Sequence, residues 1–338
     1  MDKNTLSFSI LIPTYNGEKV IGESIKSILS QDFHNYEIII QDDASTDKTI
    51  QVIKELKDNR IKIYYNTKNL GYPRNIEQGR RKCFGEILFL MAQDDILATG
   101  TLTRINTLFS ADATIGAVTR PYYWFFNTIS VPVRAKKQLN PLRDTKVLIS
   151  DDPKKVIQVV DTLDQFSGLA YRAKFMDIGF HQDIFPCHIY PFMAIFKNHP
   201  VIFMKDYTVA VRIGSSQTRH LSSIYNKSPI LSWVEMINSV LTTTDLKRVG
   251  AYLIRDFIAV NYVGLVQIRN YSTYRNLLRE IYYLIKFRKI NLINPRFWLY
   301  SLGTLLVPPQ ILIPLVDWYK NTITAKRLTN IRFNYTTK

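Results

Sequence analysis

The sequence predicts an α/β fold: a domain with a mostly parallel central sheet, followed by a basic helical region. Three observations predict it. Apolar, β-branched runs alternate with amphipathic stretches through the first part of the chain. Three of those runs end abruptly in polar turns, "PTYN", "QDDAST" and "AQDD". The last quarter then turns basic: Lys247 to Lys338 carries 15 Lys and Arg against 3 Asp and Glu, within a 338-residue chain of net charge +16.

The elements follow in order. "FSILIP" from Phe8 is a buried strand, and "GEKVIGESIKSILSQ" carries a helical stripe of Val20, Ile21, Ile25, Ile28 and Leu29. "YEIIIQDD" is the second strand and "STDKTIQVIKELKD" the second helix, with Ser45 or Thr46 placed to cap it. "IKIYYN" and "GEILFLMA" are the third and fourth strands. In the middle, "GAVTRPYYWFF" and "VIFMKDYTVAVRI" read as strands and "DPKKVIQVVDTLDQF" as a helix. From Pro229 to Lys289 the pattern is helical, and its last helix interleaves Arg275, Arg279, Lys286, Arg288 and Lys289 with Tyr, Leu and Ile. This organisation predicts two regions, 1–222 and 223–338.

Composition narrows the functional classes. An apolar share of 46% suits a globular protein with a sizeable core. Cys83 and Cys187 stand alone, without zinc spacing or a disulfide framework, which fits a reducing cytoplasm. The apolar run at the N-terminus is too short, and its front too acidic, for a secretory signal. The basic tail suggests an anionic partner, and no motif for specific nucleic-acid binding accompanies it.

Parallel sheets bind ligands beyond the carboxyl ends of their strands. "PTYN", "QDDAST" and "AQDD" would therefore converge on one edge. Asp42, Asp43, Asp94 and Asp95 would repel one another there unless a cation or hydrogen-bond donors lie between them. Asp94 and Asp95 suit a hard divalent cation, Mg²⁺ or Mn²⁺, held jointly with substrate phosphates. The plainer alternative is that "QDDILATGTL" opens a helix capped by its aspartates. Tyr15 could stack on a nucleobase while Thr14 and Asn16 hydrogen-bond it, and a carboxylate of "QDDAST" could accept from base and ribose. An ordinary turn and a helix cap are the plainer readings of those two segments.

The stretches "SILIPTYNGEKVIGESIKSILSQ", "YEIIIQDDASTDKT", "NLGYPRNIEQG" and "GEILFLMAQDDIL" together resemble the family 2 glycosyltransferases of GT-A fold. The resemblance implies that Pro13, Thr14, Tyr15, Asn16 and Asp42 meet the nucleotide. It also implies that Asp43 supports that turn and that Arg74 approaches the nucleotide. Of the family's Asp-x-Asp metal motif, Ala92 replaces the first carboxylate, Asp94 matches the second, and Asp95 is an added one. The frame "GFHQDIFPCHIYPFMAIFKNHP" puts Cys187-His188 where the family carries Glu-Asp, so His188 occupies the catalytic-base position with Asp183 as its rival. Arg212 matches a family arginine that meets the donor. The family's nearby histidine is Gly214 here, with His220 following.

The resemblance implies an inverting transferase. It would move a sugar from a nucleoside diphosphate sugar to a lipid-linked or polysaccharide acceptor, in assembly of a bacterial surface polysaccharide such as capsule or O-antigen. Ala92 and the missing Glu-Asp pair support a different class: a catalytically impaired protein of the same fold that acts as a binding partner. A homo-oligomer is compatible with either.

The segment 297–319, "FWLYSLGTLLVPPQILIPLVDWY", carries no charge before Asp317. Pro308, Pro309 and Pro314 argue against a straight span. A monotopic or re-entrant element on an anionic membrane surface is expected, with Trp298, Tyr300, Trp318 and Tyr319 at the polar boundary. The corresponding location is the cytoplasmic face of the inner membrane.

Overall fold

The computed structural model describes residues 5–213, 222–319, 322, 328 and 331–336. Gly214 and His220, the two positions compared with a family histidine, lie outside the described residues. The chain divides into two compact units. The first comprises 1–151, 158–215 and 328–338, and the second 152–157 and 216–327.

In the first unit, β1 (Phe8–Thr14), β2 (Tyr36–Asp42), β3 (Ile61–Tyr65) and β4 (Ile87–Leu90) are parallel, in the order β3-β2-β1-β4. Every residue of β1 and of β4 is buried. A parallel strand covered on both faces needs such an unbroken apolar run. The connecting helices are α1 (Ile21–Leu29), α2 (Thr49–Glu55) and α3 (Tyr72–Arg80). The helix α1 turns Ile21, Ile25 and Ile28 inward at helical spacing, as its stripe predicts.

Neither Ser45 nor Thr46 caps α2. The hydroxyl of Ser45 bonds Asp42, while Asp47 Oδ1 accepts from the N–H of Thr49, the first residue of the helix. The "QDDILATGTL" stretch does not place its aspartates at a helix start either. It continues into the short strand β5 (Ile96–Leu97), and α4 (Thr101–Ala111) starts after Gly100.

Beyond β4 the sheet becomes mixed. Strands β6 (Ala117–Thr119), β7 (Tyr122–Phe125), β8 (Pro132–Ala135) and β9 (Thr145–Val147) precede α5 (Pro153–Asp161), β10 (Ala170–Arg172), α6 (Ile189–Phe196), β11 (Val201–Phe203) and β12 (Val209–Arg212). The large sheet has the order β3-β2-β1-β4-β10-β6-β11-β9, with β10 antiparallel to both its neighbours. A second sheet has the order β5-β12-β7-β8.

Each run expected as one strand in this region therefore supplies two. "GAVTRPYYWFF" breaks at Arg120-Pro121 into β6 and β7, and "VIFMKDYTVAVRI" breaks into β11 and β12, in different sheets each time. Pro121 has no N–H to continue a ladder.

The C-terminal residues also belong to this unit. The carbonyl of Asn334 accepts from Thr99 N (2.8 Å) and that of Thr336 from Ser30 Oγ (2.6 Å). Ile331 and Phe333 pack on a buried cluster of Ile96, Tyr123, Phe125, Ile129 and Ala210. A single division at 222 does not describe this arrangement, because the chain end returns to the sheet that carries β5 and β12.

The second unit contains α7 (Pro229–Val240), α8 (Thr244–Asp256), α9 (Val263–Tyr271), α10 (Tyr274–Phe287), α11 (Pro295–Leu306) and α12 (Pro309–Tyr319). Buried polar groups fix it. Glu280 accepts from Ser228 Oγ (2.9 Å) and Arg279 Nε (3.1 Å), and Ser228 also caps α7 by accepting from Leu231 N (3.0 Å). Asn291 donates to the carbonyls of Ala259 and Leu284, both at 2.8 Å, and accepts from the Tyr262 hydroxyl at 2.6 Å. The apolar segment 297–319 is two helices broken at Val307-Pro308. Among the described residues no single helix is long and apolar enough to cross a membrane.

The ring of Phe333 meets Tyr123 edge-on at 5.3 Å between centroids. Phe333→Ala should remove that contact and part of the apolar cover, lowering stability by about 1–3 kcal/mol. Denaturant unfolding checks this, and an unchanged midpoint would show that the chain end contributes nothing to the sheet.

Candidate active site

Thr14 and Asp42 are register partners at the ends of β1 and β2. The carbonyl of Thr14 accepts from Asp43 N at 2.8 Å. Pro13 and Thr14 are buried, Tyr15 is half-buried and Asn16 is exposed. The Asp42 carboxylate accepts from Ser45 N (2.9 Å) and Ser45 Oγ (2.5 Å). The Asp43 carboxylate accepts from Asn66 Nδ2 and Leu70 N, both 2.8 Å, and from Gly71 N at 2.9 Å. Hydrogen-bond donors thus offset the repulsion between these two aspartates, each only 2% exposed. Asp43 organises the loop that leads into α3. Arg74 sits on α3, where its Nε donates to Gln182 Oε1 at 3.1 Å on the exposed rim.

A reciprocal pair joins the ends of β1 and β4. Tyr15 N donates to Gln93 Oε1 and Gln93 Nε2 donates to Tyr15 O, each at 3.0 Å. Gly17 lies against it, and a Cβ there would come 2.5 Å from Gln93 Oε1 and displace the amide. Asn16, at φ 48°, accepts from Thr46 N (2.8 Å) through its side-chain oxygen, while its own N–H donates to Ser45 Oγ (2.9 Å). These bonds tie the turns after β1, β2 and β4 into one polar edge. Gln93 was not singled out by sequence reasoning, and its position inside the Asp-x-Asp frame was the available signal.

Asp94 and Asp95 take different environments. Asp94 is half-buried, and its carbonyl accepts from Arg212 Nε at 3.2 Å. Asp95 is buried, with Oδ2 accepting from Ser167 Oγ (2.5 Å) and Oδ1 from the Arg212 N–H (3.0 Å). Burial and the neighbouring Asp94 push its carboxyl well above the usual carboxylate range. Both oxygens of Asp95 therefore face protein donors. Among the described residues no group of three or more His, Cys, Asp or Glu could hold a metal ion by itself. The donor set fits a cation shared between Asp94 and phosphate oxygens, not an all-protein site. The Arg212 guanidinium also pairs with Glu23 (2.5 Å) and lies over the Phe125 ring.

Arg120 is a second neighbour of the site that sequence reasoning missed. It is fully buried, and its guanidinium donates to the carbonyls of Ser167 (2.6 Å), Thr162 (3.2 Å) and Gln165 (2.8 Å). Burial pushes its pKa down to about 10. It thereby shapes the loop 162–168, whose Phe166 stacks on Tyr72 at 5.6 Å. Gly168 closes that loop at φ 84°, where a Cβ would come 2.6 Å from Val209.

His188 precedes α6 and is buried. Its Nε2 lies 2.8 Å from the Leu163 carbonyl, which can only accept, so Nε2 carries the proton. Nδ1 then accepts from the Tyr72 hydroxyl at 3.2 Å. Burial pushes its pKa down to about 4. The structure places His188 as a neutral imidazole behind Tyr72 and Phe166, with both ring nitrogens engaged. Asp183 is buried in the loop before α6, where Oδ1 accepts from Phe185 N at 3.4 Å.

Comparison with known proteins finds similar sequences and folds. Residues 9–162 match the family described as "Glycosyl transferase family 2". The chain is 36% identical over 100 residues to the GalNAc(5)-diNAcBac-PP-undecaprenol beta-1,3-glucosyltransferase of Campylobacter jejuni, covering 29% of this chain and 32% of that protein. In structure it resembles Staphylococcus aureus TarS 1-349 in complex with UDP-GlcNAc, with a TM-score of 0.65, 17% identity, and 96% and 90% of the two chains covered. It also resembles the mannosyltransferase PcManGT of Pyrobaculum calidifontis in complex with GDP-Man and Mn²⁺, with a TM-score of 0.56, 14% identity, and 97% and 88% covered. The chain has a GT-A-like fold and matches the family over residues 9–162. It spans 32 to 39% of the length of the first curated relatives it matches.

Two outcomes follow from the geometry. Asp95→Ala should destabilise the protein by about 1–3 kcal/mol, because Ser167 and the Arg212 N–H lose a buried acceptor, whereas Asp95→Asn should fold nearly as well. Equal loss in both variants, measured by denaturant unfolding, would show that the fold needs the charge of Asp95 and not only its acceptor oxygen. His188 titrates near ~6.5 when unfolded but only at about 4 when buried. The stability it contributes is complete above pH ~6.5 and is lost as pH falls toward 4, by roughly 3 kcal/mol in all. His188→Gln should flatten that part of the pH–stability curve, and an unchanged acid limb would show that His188 is protonated in the fold.

Proposed function

We propose that this protein is an inverting glycosyltransferase that uses a nucleoside diphosphate sugar. The observation that carries the reading is the convergence of Thr14–Asn16, Asp42 and Asp94 on one polar edge, inside a family 2 domain. The base and ribose would lie along Thr14, Tyr15, Asn16 and Asp42. A Mn²⁺ or Mg²⁺ ion held by Asp94 would neutralise the leaving diphosphate. Arg212, fixed by Glu23 and by the carbonyl of Asp94, would stand beside that charge.

The acceptor hydroxyl attacks the anomeric carbon from the face opposite the diphosphate, which leaves with the electron pair of the broken C–O bond. The acceptor proton passes through the Tyr72 hydroxyl to Nδ1 of His188, because Tyr72 occupies the only lone pair on the neutral ring. The alternative base is Asp183. The acceptor class, a lipid-linked or polysaccharide hydroxyl in surface polysaccharide assembly, draws support from the PP-undecaprenol acceptor in the name of the Campylobacter relative.

A second reading has its own observation. His188 is buried with both nitrogens engaged, and Ala92 replaces a carboxylate. A catalytically impaired protein that still binds a nucleotide sugar, as a partner in a polysaccharide assembly complex, would show this pattern.

Thermal melting with a panel of nucleoside diphosphate sugars, with and without Mn²⁺, tests donor binding, since a ligand of the folded state raises its stability. One donor should raise the midpoint in a Mn²⁺-dependent way, and Asp94→Asn should abolish the metal-dependent part. No shift with any donor would count against both readings. Donor binding without any turnover, when a polyprenyl-diphosphate saccharide is supplied, would favour the second.

The relay has a separate check. Tyr72→Phe and His188→Ala should each lower kcat by roughly 100-fold or more, with little change in the donor midpoint shift. If Tyr72→Phe keeps full turnover and Asp183→Ala is inactive, Asp183 is the base.

A further inference from the structure

The second unit carries a helix whose polarity is inverted. On α11 the inward positions are Phe297, Ser301 and Thr304, and all three are buried. Two of the three are hydroxyl residues, and Thr304 turns its hydroxyl back onto the Tyr300 carbonyl at 2.7 Å. The opposite stripe is Leu299, Leu302 and Leu306, which are 71%, 46% and 77% exposed. A surface helix in water places its leucines inward and its hydroxyls outward.

The pattern continues on α12. Leu312 is buried, while Ile311, Leu315 and Trp318 recur at helical spacing on the outer side and are more than half exposed. Just before α11, Ile293 is 78% exposed. Scattered surface leucines need no explanation, but consecutive apolar stripes on adjoining helices form a patch that needs an occupant.

Charge identifies that occupant. Lys286, Lys289 and Arg296 are exposed at the start of this stretch, and Arg296 lies three residues before Leu299 on the same stripe. The single acid of the segment 297–319, Asp317, is half-buried. A second copy docked through the same patch by two-fold symmetry would bring these cations toward their own counterparts. A lipid surface offers acyl chains to the leucines and phosphates to the cations. Apolar burial combined with attraction to anionic headgroups gives stable attachment where either alone is weak.

We propose that the outer face of α11 and α12, edged by Lys289 and Arg296, docks in the plane of an anionic lipid bilayer. The two helices lie on the surface and do not cross it, consistent with the break at Val307-Pro308. The proposal does not depend on the transfer reaction, and its test reads binding alone.

Truncation is a poor test, because it would also remove residues 331–336 from the first unit. Point variants of the full chain avoid this. Wild-type protein is mixed with phosphatidylcholine vesicles, with and without phosphatidylglycerol, at low and high salt, and the pelleted fraction is measured. It should pellet with the anionic vesicles, and less so at high salt. Leu299→Glu/Leu306→Glu should lose pelleting while keeping the wild-type melting temperature, since both positions face outward. Lys289→Glu/Arg296→Glu, whose folding is not at stake, should lose the preference for phosphatidylglycerol. Wild-type protein that stays in the supernatant with anionic vesicles overturns the proposal. So does equal pelleting of the leucine variant. If light scattering shows a wild-type dimer that the leucine variant turns into a monomer, with vesicle binding unchanged, the patch belongs to a second copy.

Discussion

The buried carboxylate of Asp95 is the constraint on which the candidate site depends. It sits where β4 ends and the second sheet begins, and it accepts from Ser167 on one side and from the backbone of Arg212 on the other. Ser167 in turn accepts from Ala92 N through its hydroxyl and from Arg120 through its carbonyl. One side chain thus joins the end of β4, the loop 162–168 and β12. A buried polar group of this kind is costly if any partner is lost, because the remaining donors cannot reach water. That cost is what holds the two sheets in one arrangement around Asp94.

The neighbouring strand ends solve the same problem differently. Asp42 and Asp43 are adjacent, buried and of like charge; Asp42 accepts from Ser45 in its own turn, and Asp43 from Asn66, Leu70 and Gly71 in the loop before α3. The carboxylates therefore act as templates for the turns that would cradle a nucleotide. Gln93 completes the edge with a neutral amide that both donates to and accepts from the backbone of Tyr15. Two adjacent acidic strand ends become compatible because hydrogen-bond donors meet Asp42, Asp43 and Asp95.

The chain end and the second unit show how far packing departs from the linear order. Residues 331–336 cover the β5 and β12 sheet, so the most distant segment in sequence stabilises the strands that flank Asp95. In the second unit, α11 buries hydroxyls and shows leucines, against the usual arrangement in water. Its apolar content is the same in either orientation. Only the contacts made by Phe297, Ser301 and Thr304 decide which side is left for a partner.

The sequence by itself determined the parallel half of the large sheet. Strands buried on both faces require unbroken runs such as "FSILIP" and "YEIII", and their polar ends put Thr14, Asp42 and Asp94 at one edge. The prolines at 308 and 309 likewise determined the break between α11 and α12. Tertiary structure decided the rest. The helix α3 carries no apolar stripe beyond Ile76, so its pattern is silent. Arg120, between a strand and a proline, reads as a solvated charge until three carbonyls from residues 162–167 meet it. The different roles of Asp94 and Asp95 came only from burial, and so did the low pKa of His188. Desolvation depends on what the whole chain packs around a group, which no local spacing records.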